Sequence, residues 1–299
     1  MRGVAGAAMG RTATAFRLPR LLAAIAAAWL APVQGAHATD EIQVYNANIA
    51  APGQFTIQQH LNYVGIGQKD PPFPGGFGSD KTLNGTPEFA YGMTDWWELG
   101  LYLPFAVKDR QFLSDAFKLR TLFVSPHADQ RNLFYGLNFE LSYEMPRFSQ
   151  TRWGLEIRPI VGMRSGGYEF IVNPIVGIGF GRNGEADFTP AARLARKLDT
   201  DLYAGFEYYA DFGEIGNFKP LPQQQHTLFA VTDFKLGVFG VNFGVGYGLT
   251  PASDRFVVKT IIGYAFPVPG GDRTAERASA NGGVNPMARH AGYARLLQP

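Results

Sequence analysis

The sequence predicts an all-β chain: a single antiparallel transmembrane β-barrel of about twelve strands, with a cleaved signal peptide before it and a disordered C-terminal tail after it. Three observations carry this expectation. Apolar and polar residues alternate with period two along most of the chain. Many of the alternating stretches approach the roughly 9–11 residues that a tilted strand needs to cross a bilayer core, where soluble strands average about 5–6. After the first 38 residues, no stretch has the unbroken apolar length or the i, i+3, i+4, i+7 pattern of a helix.

The chain opens with a targeting segment. Arg2, Arg11, Arg17 and Arg20 form a basic region with no acid before Asp40. Leu21–Leu30 is a short apolar core, and Ala36-His37-Ala38 supplies a small-x-small cleavage pattern. Such a core is too short for a membrane span, which needs about 20 residues. The expected boundaries are 1–38 for the signal peptide, 39–266 for the barrel and 267–299 for the tail.

The strands follow in order. In 53–64, Phe55, Ile57, Leu61 and Tyr63 oppose Thr56, Gln58, His60 and Asn62. In 96–105, Trp97, Leu99, Leu101 and Leu103 oppose Glu98, Gly100 and Tyr102. The clearest case is 133–143, where Leu133, Tyr135, Leu137, Phe139 and Leu141 oppose Phe134, Gly136, Asn138, Glu140 and Ser142. Stretches 152–164 and 240–249 repeat the pattern. Weaker versions lie at 86–92, 117–124, 168–180, 188–196, 202–211, 225–235 and 256–266. Connections alternate between short turns and longer loops, as expected for periplasmic and outer ends. Trp96, Trp97, Tyr91, Tyr168 and Phe266 fall where an aromatic girdle is expected at one end, and Tyr143, Trp153, Phe180, Tyr208 and Tyr209 at the other.

The loop 66–85 holds Pro71-Pro72-Phe73-Pro74-Gly75-Gly76. Its Pro and Gly density excludes regular structure, and it reads as an outer loop or as a partial plug folded into the mouth. The wall is expected to end at Phe266, an aromatic strand end of the kind read by the barrel assembly machinery. Residues 267–299, rich in Gly, Ala, Arg and Asn, lie beyond it.

Charge gives no ground to expect a nucleic-acid partner, because the apparent basicity lies outside the barrel. The chain has a formal charge of +2, and removing the four arginines before residue 39 takes it to −2. Cysteine is absent, which excludes disulfides and thiolate metal sites. Nothing in the sequence calls for a cofactor or a metal ion.

Three stretches carry a family resemblance: Asp40–Tyr63, Leu83–Pro104 and Gln223–Lys235. They resemble a family of proteobacterial outer-membrane β-barrels, distantly similar to the transporter-like barrels associated with phenol-degradation pathways. The resemblance spans about residues 40–266. It implies a barrel in outer-membrane lipid and transport of small organic compounds, and it transfers no catalytic residue.

The polar faces carry Glu88, Glu98, Lys118, Arg120, Glu140, Glu156, Arg158, Arg164, Glu169, Arg193, Glu207 and Asp211. An Arg or Lys facing lipid at the midplane would cost about 2–4 kcal/mol, so these residues are expected to line the lumen. The lumen candidates are Glu98, Lys118, Arg120, Glu140, Glu156, Arg158, Arg164 and Glu207. Arg120, Glu140, Glu156 and Arg158 come from three consecutive strands and are the expected constriction. The loops 66–85 and 212–224 are expected to shape the entrance.

The function expected is passive movement of a small solute across the outer membrane. Two other classes fit parts of the sequence. A membrane lipid hydrolase would need a Ser and a His together; the wall offers His60, on the polar face with Gln58 and Asn62, His226, on the polar face with Thr232, His127 in a turn, and Ser142 on the polar face near the outer end. A secreted soluble barrel would turn the aromatic face inward. The run Gly244-x-Gly246-x-Gly248 lacks the following helix of a nucleotide site and reads instead as room for larger side chains opposite.

Overall fold

A computed structural model describes residues 41–268. The expected signal peptide and residues 269–299 of the expected tail lie outside the described residues. The strand segments are β1 (Phe55–Ile66), β2 (Thr82–Gly92), β3 (Trp97–Tyr102), β4 (Phe105–Lys108), β5 (Gln111–Ser114), β6 (Phe117–Val124), β7 (Leu133–Tyr143) and β8 (Trp153–Ser165). They continue as β9 (Tyr168–Asn173), β10 (Val176–Gly179), β11 (Ala186–Phe188), β12 (Ala191–Asp199), β13 (Leu202–Asp211), β14 (Gln225–Leu236), β15 (Phe239–Gly248) and β16 (Phe256–Ala265). Short 3-10 turns at Ala128–Gln130 and Leu221–Gln223 are the only helical segments among the described residues.

All pairings are antiparallel, and β1 pairs with both β2 and β16, so the sheet closes on itself. β3 and β4, β5 and β6, β9 and β10, and β11 and β12 are each one wall strand written in two segments. Sixteen segments therefore make twelve wall strands, the number read from the sequence. Closure leaves no unpaired sheet edge, which a bilayer core would not tolerate.

Proline accounts for the interruptions. Pro104 separates β3 from β4, Pro174 lies between β9 and β10, and Pro190 lies between β11 and β12. Each removes a ladder donor. The partners bend with them: the Asp115 amide donates to the Pro104 carbonyl at 3.0 Å, and the Thr189 amide to the Ile175 carbonyl at 3.0 Å. These breaks hid the full strand lengths, so the third wall strand reaches Lys108 and the fourth begins at Gln111.

The two faces separate by polarity. On β7, Leu133 and Tyr135 are exposed outward at 64% and 61%, while Phe134 and Asn138 are fully buried and Glu140 nearly so. Outward Leu119, Leu141, Val161, Met163, Phe170, Leu194, Phe206, Leu228 and Val245 continue an apolar belt around the wall. The soluble-barrel alternative needed the opposite facing and is excluded by it.

One strand is oriented differently from the sequence reading. The alternation expectation puts His226 and Thr232 on the polar inward face of β14. Phe229 and Val231 are buried toward the lumen instead, and Leu228 and Ala230 face outward. Both faces of this strand are apolar, so alternation alone did not set its facing. His226 lies on the outward side, its Nδ1 sharing a hydrogen bond of 2.5 Å with the Tyr208 hydroxyl and its ring edge-on to Phe212.

Inward glycines sit opposite the largest inward side chains. A Cβ on Gly246 would come within 2.5 Å of the Phe229 ring, its ladder partner. A Cβ on Gly100 would lie 2.8 Å from Nε of Arg120, again its partner. The glycine run read from the sequence is thus space for large residues across the ladder.

Candidate functional site: the lumen and its resident segment

Residues 41–54 precede the first strand and have no regular structure. Their partners come from around the whole ring. Lys259 Nζ on β16 donates to the Ile42 carbonyl at 3.0 Å. Arg158 Nη1 on β8 donates to the Gln43 carbonyl at 3.1 Å. The Tyr45 hydroxyl meets the Tyr102 hydroxyl of β3 at 2.7 Å and donates to Glu140 Oε1 of β7 at 3.0 Å. The Ala50 amide donates to Glu98 Oε2 at 2.5 Å. A segment can reach β3, β7, β8 and β16 together only from inside the barrel. Residues 41–50 therefore occupy the lumen.

Irregular backbone at this depth needs a partner for each buried polar group. The lumen side chains supply them. This changes the expected role of the charged residues: they hold a resident segment. The sequence placed a possible plug at 66–85. Phe73 of that loop is buried at the rim, but the lumen itself is filled by 41–50.

The lumen candidates fall into three groups. In the first, Arg120 on β6 pairs with Glu98 and, at 2.9 Å, with Glu88, whose other oxygen meets His60 Nε2 at 3.1 Å. In the second, Arg193 on β12 pairs with Glu207 at 2.5 Å and with Asp233, while Lys259 pairs with the other Glu207 oxygen at 2.5 Å. Arg164 joins this side through Glu169 at 2.7 Å, and its guanidinium lies 3.9 Å from the Phe134 ring centroid. The third group surrounds Tyr45. Arg158 stacks 4.1 Å from the Tyr45 ring centroid and is held by Glu156 through hydrogen bonds of 2.7 and 3.2 Å.

The four expected constriction residues thus converge on one place: Arg120, Arg158 and Glu140 contact the Tyr45 side chain, and Glu156 holds Arg158. Lys118 lies nearer the long-loop end and lines the cavity there. The sequence reading left out Lys259, Asp233 and the whole of 41–50. Lys259 is fully buried in a strand whose two faces are both β-branched and apolar. The signal that could have found it is the lone charge itself, since a lysine mid-strand cannot face lipid.

Two cavities flank the resident segment, and Gln43 lines both. The smaller, about 110 Å³, runs beside Gln43–Ala50 and is lined by Glu98, Arg120, Glu169, Arg193, Glu207 and Asp233. The larger, about 390 Å³, is a vestibule at the long-loop end, floored by Glu41, Ile42, Gln43, Glu140 and Arg158. Phe73 and Ser79 of loop 66–85 and Lys219 of loop 212–224 line it. Ser142 also lines the vestibule, whereas His60 is buried against Glu88 and His226 faces outward. His60 and Ser142 thus both point inward, with His60 closed against Glu88, while His226 faces outward and His127 lies exposed beside Asp95.

No protein-family model matches the chain. No curated protein matches it in sequence. Solved structures do. The COG4313 outer membrane channel from Pseudomonas putida F1 matches with a TM-score of 0.56 at 11% identity, over 76% of this chain and all (100%) of that one. The translocator domain of the autotransporter NalP from Neisseria meningitidis matches with a TM-score of 0.44 at 11% identity, over 74% of this chain and 90% of that one. LpxR from Salmonella typhimurium matches with a TM-score of 0.37 at 10% identity, over 70% and 99%. At such identity the first of these likenesses shows the fold: this chain is similar to a closed outer-membrane-type barrel.

Proposed function

We propose that this protein is an outer-membrane channel that moves small solutes passively, with residues 41–50 narrowing the path from within. The carrying observation is the resident segment with a cavity on either side of it, inside a wall whose outer face is apolar. An apolar belt of this extent is unstable in water and matched to lipid. Export through the segment 1–38 delivers such a chain to the outer membrane. Phe266, whose amide donates to the Phe55 carbonyl at 2.9 Å, is the strand-end aromatic that the barrel assembly machinery would read.

The path runs through the vestibule, past the Tyr45 contacts of Arg120, Glu140 and Arg158, and into the smaller cavity. Its narrowness favours small solutes. The vestibule mixes carboxylates with Phe73, Phe148 and Ile178, which suits a compound with an apolar body and a polar end. This is consistent with the small organic compounds that the sequence resemblance implies.

Planar-bilayer conductance and solute flux into liposomes test the reading. The intact chain should give small, well-defined conductance steps, and deletion of 41–50 should enlarge them. Absence of conductance and flux in both forms would sink the channel.

A further inference from the structure

The vestibule is strongly acidic. Nine carboxylate side chains line it against three basic ones. Two of those bases are held by acids of the same cavity: Arg158 by Glu156 at 2.7 Å, and Lys219 by Asp211 at 3.1 Å. Even with all three bases paired inside the cavity, acids remain in excess among the residues that line it.

A second observation points to what fills it. Glu41, on the resident segment, is 8% exposed and lies on the vestibule floor. Its Oε1 is buried and has no hydrogen-bond partner. The nearest paired cation is Arg158 Nη1, 4.0 Å away, beyond hydrogen-bond reach. That guanidinium is already committed on all three nitrogens: Nε and Nη2 to Glu156, and Nη1 to the Gln43 carbonyl. A buried carboxylate oxygen without a donor loses its hydration and gains nothing in return. Glu140 stands on the same floor, with its Oε1 accepting from Tyr45 and Asn138.

The walls are not uniformly polar. Phe73, Phe148, Val64, Ile175 and Ile178 line the same cavity. A bare metal ion would leave this surface unused. An organic cation with an apolar or aromatic body would place its ammonium by Glu41 and its body against these side chains.

We propose that the vestibule is a binding site for amphipathic organic cations, with Glu41 of the resident segment as the counter-charge on its floor. This deepens the channel reading and rests on it, by naming the class of solute the outer end accepts. It also makes the lumen segment a part of the recognition surface.

Calorimetric titration of the purified barrel in nonionic detergent at low salt tests it. The probes are benzyltrimethylammonium, benzyl alcohol and benzenesulfonate. The cation should bind saturably, the neutral alcohol more weakly and the sulfonate not at all. Glu41→Gln should weaken the cation about tenfold or more, the worth of one charge-assisted contact, and leave the alcohol unchanged. Heat-modifiable gel migration checks that the variant is folded. Equal binding of all three probes, no saturable binding of the cation, or wild-type affinity in a folded Glu41→Gln barrel would each overturn the proposal. Conductance of the same preparation separates the two readings. A barrel that conducts without binding the cation keeps the channel and loses the site, and one that binds without conducting does the reverse.

Discussion

Asn173 on β9 holds both backbone polar groups of Tyr45: the Tyr45 amide donates to Oδ1 at 2.7 Å, and Nδ2 donates to the Tyr45 carbonyl at 3.1 Å. One side chain thus stands in for a strand partner. It lets an irregular segment remain within the barrel with its amide and carbonyl satisfied. Asn173 is fully buried, so no water replaces it freely.

Asn173→Leu should therefore loosen the resident segment without opening the wall. Two buried groups lose their partner, at about 1–3 kcal/mol each. Open-channel conductance should rise toward that of the 41–50 deletion, and a protease should cut between 41 and 54 faster. Unchanged conductance together with unchanged protection would show that Asn173 does not anchor the segment.

Lys259→Met should destabilise the barrel. Lys259 is fully buried and binds Glu207, the Ile42 carbonyl and, at 3.3 Å, the Tyr209 hydroxyl. Removing one member of such a group leaves the others buried without their charge partner, at about 3–5 kcal/mol. The unfolding midpoint in denaturant should fall, and Glu207→Gln in the same chain should recover part of the loss. A midpoint equal to wild type would count against the network.

Gly246→Val should fail through the Phe229 ring. The Cβ alone would sit 2.5 Å from it, so the ring must move or the ladder must part, typically at about 1–3 kcal/mol. The double variant with Phe229→Ala should be more stable than the two single effects added together, because the clash is removed. Strict additivity in a double-mutant cycle would show that the two residues do not meet.

The outer rim should respond to acid at Asp254, which lies between β15 and β16. Burial pushes its carboxyl above the usual aspartate range, with Asp80 adding to the rise and hydrogen bonds from Ser79 and the Gln68 amide opposing it. The folded value is raised, so the carboxyl favours the folded loop most when protonated. That contribution is full below the ordinary aspartate pKa and is lost as pH rises through the raised one. Hydrogen exchange in 67–81 should slow on acidification through this window, and Asp254→Asn should flatten the dependence. Faster exchange at low pH in the wild type would reverse the sign and refute it.

The wall was largely legible in the sequence. β7 shows why: Leu133, Tyr135 and Leu141 alternate with Phe134, Asn138 and Glu140, and only one facing shelters Glu140 from lipid. β14 shows where legibility ends. Leu228 and Phe229 are both apolar, so His226 and Thr232 were placed on the wrong side, although Asp233 marked the inward parity. Pro104, Pro174 and Pro190 broke the alternation at points where the strands in fact continue. The expected constriction residues were found together, yet what they surround was not foreseen.

The sequence by itself determined the strands, their number and, Lys259 and Asp233 apart, the charges that turn inward. Period two and strand length are local properties, and the penalty for a charge in lipid acts on each residue separately. Only the tertiary structure decided what fills the barrel. Residues 41–54 carry no periodicity, and their partners lie far along the chain: Asn173 is 128 residues from Tyr45, and Lys259 is 217 from Ile42. Those contacts exist because closing twelve strands brings distant inward side chains around one axis. The Glu41 oxygen left without a hydrogen-bond donor on the vestibule floor follows from that closure as well.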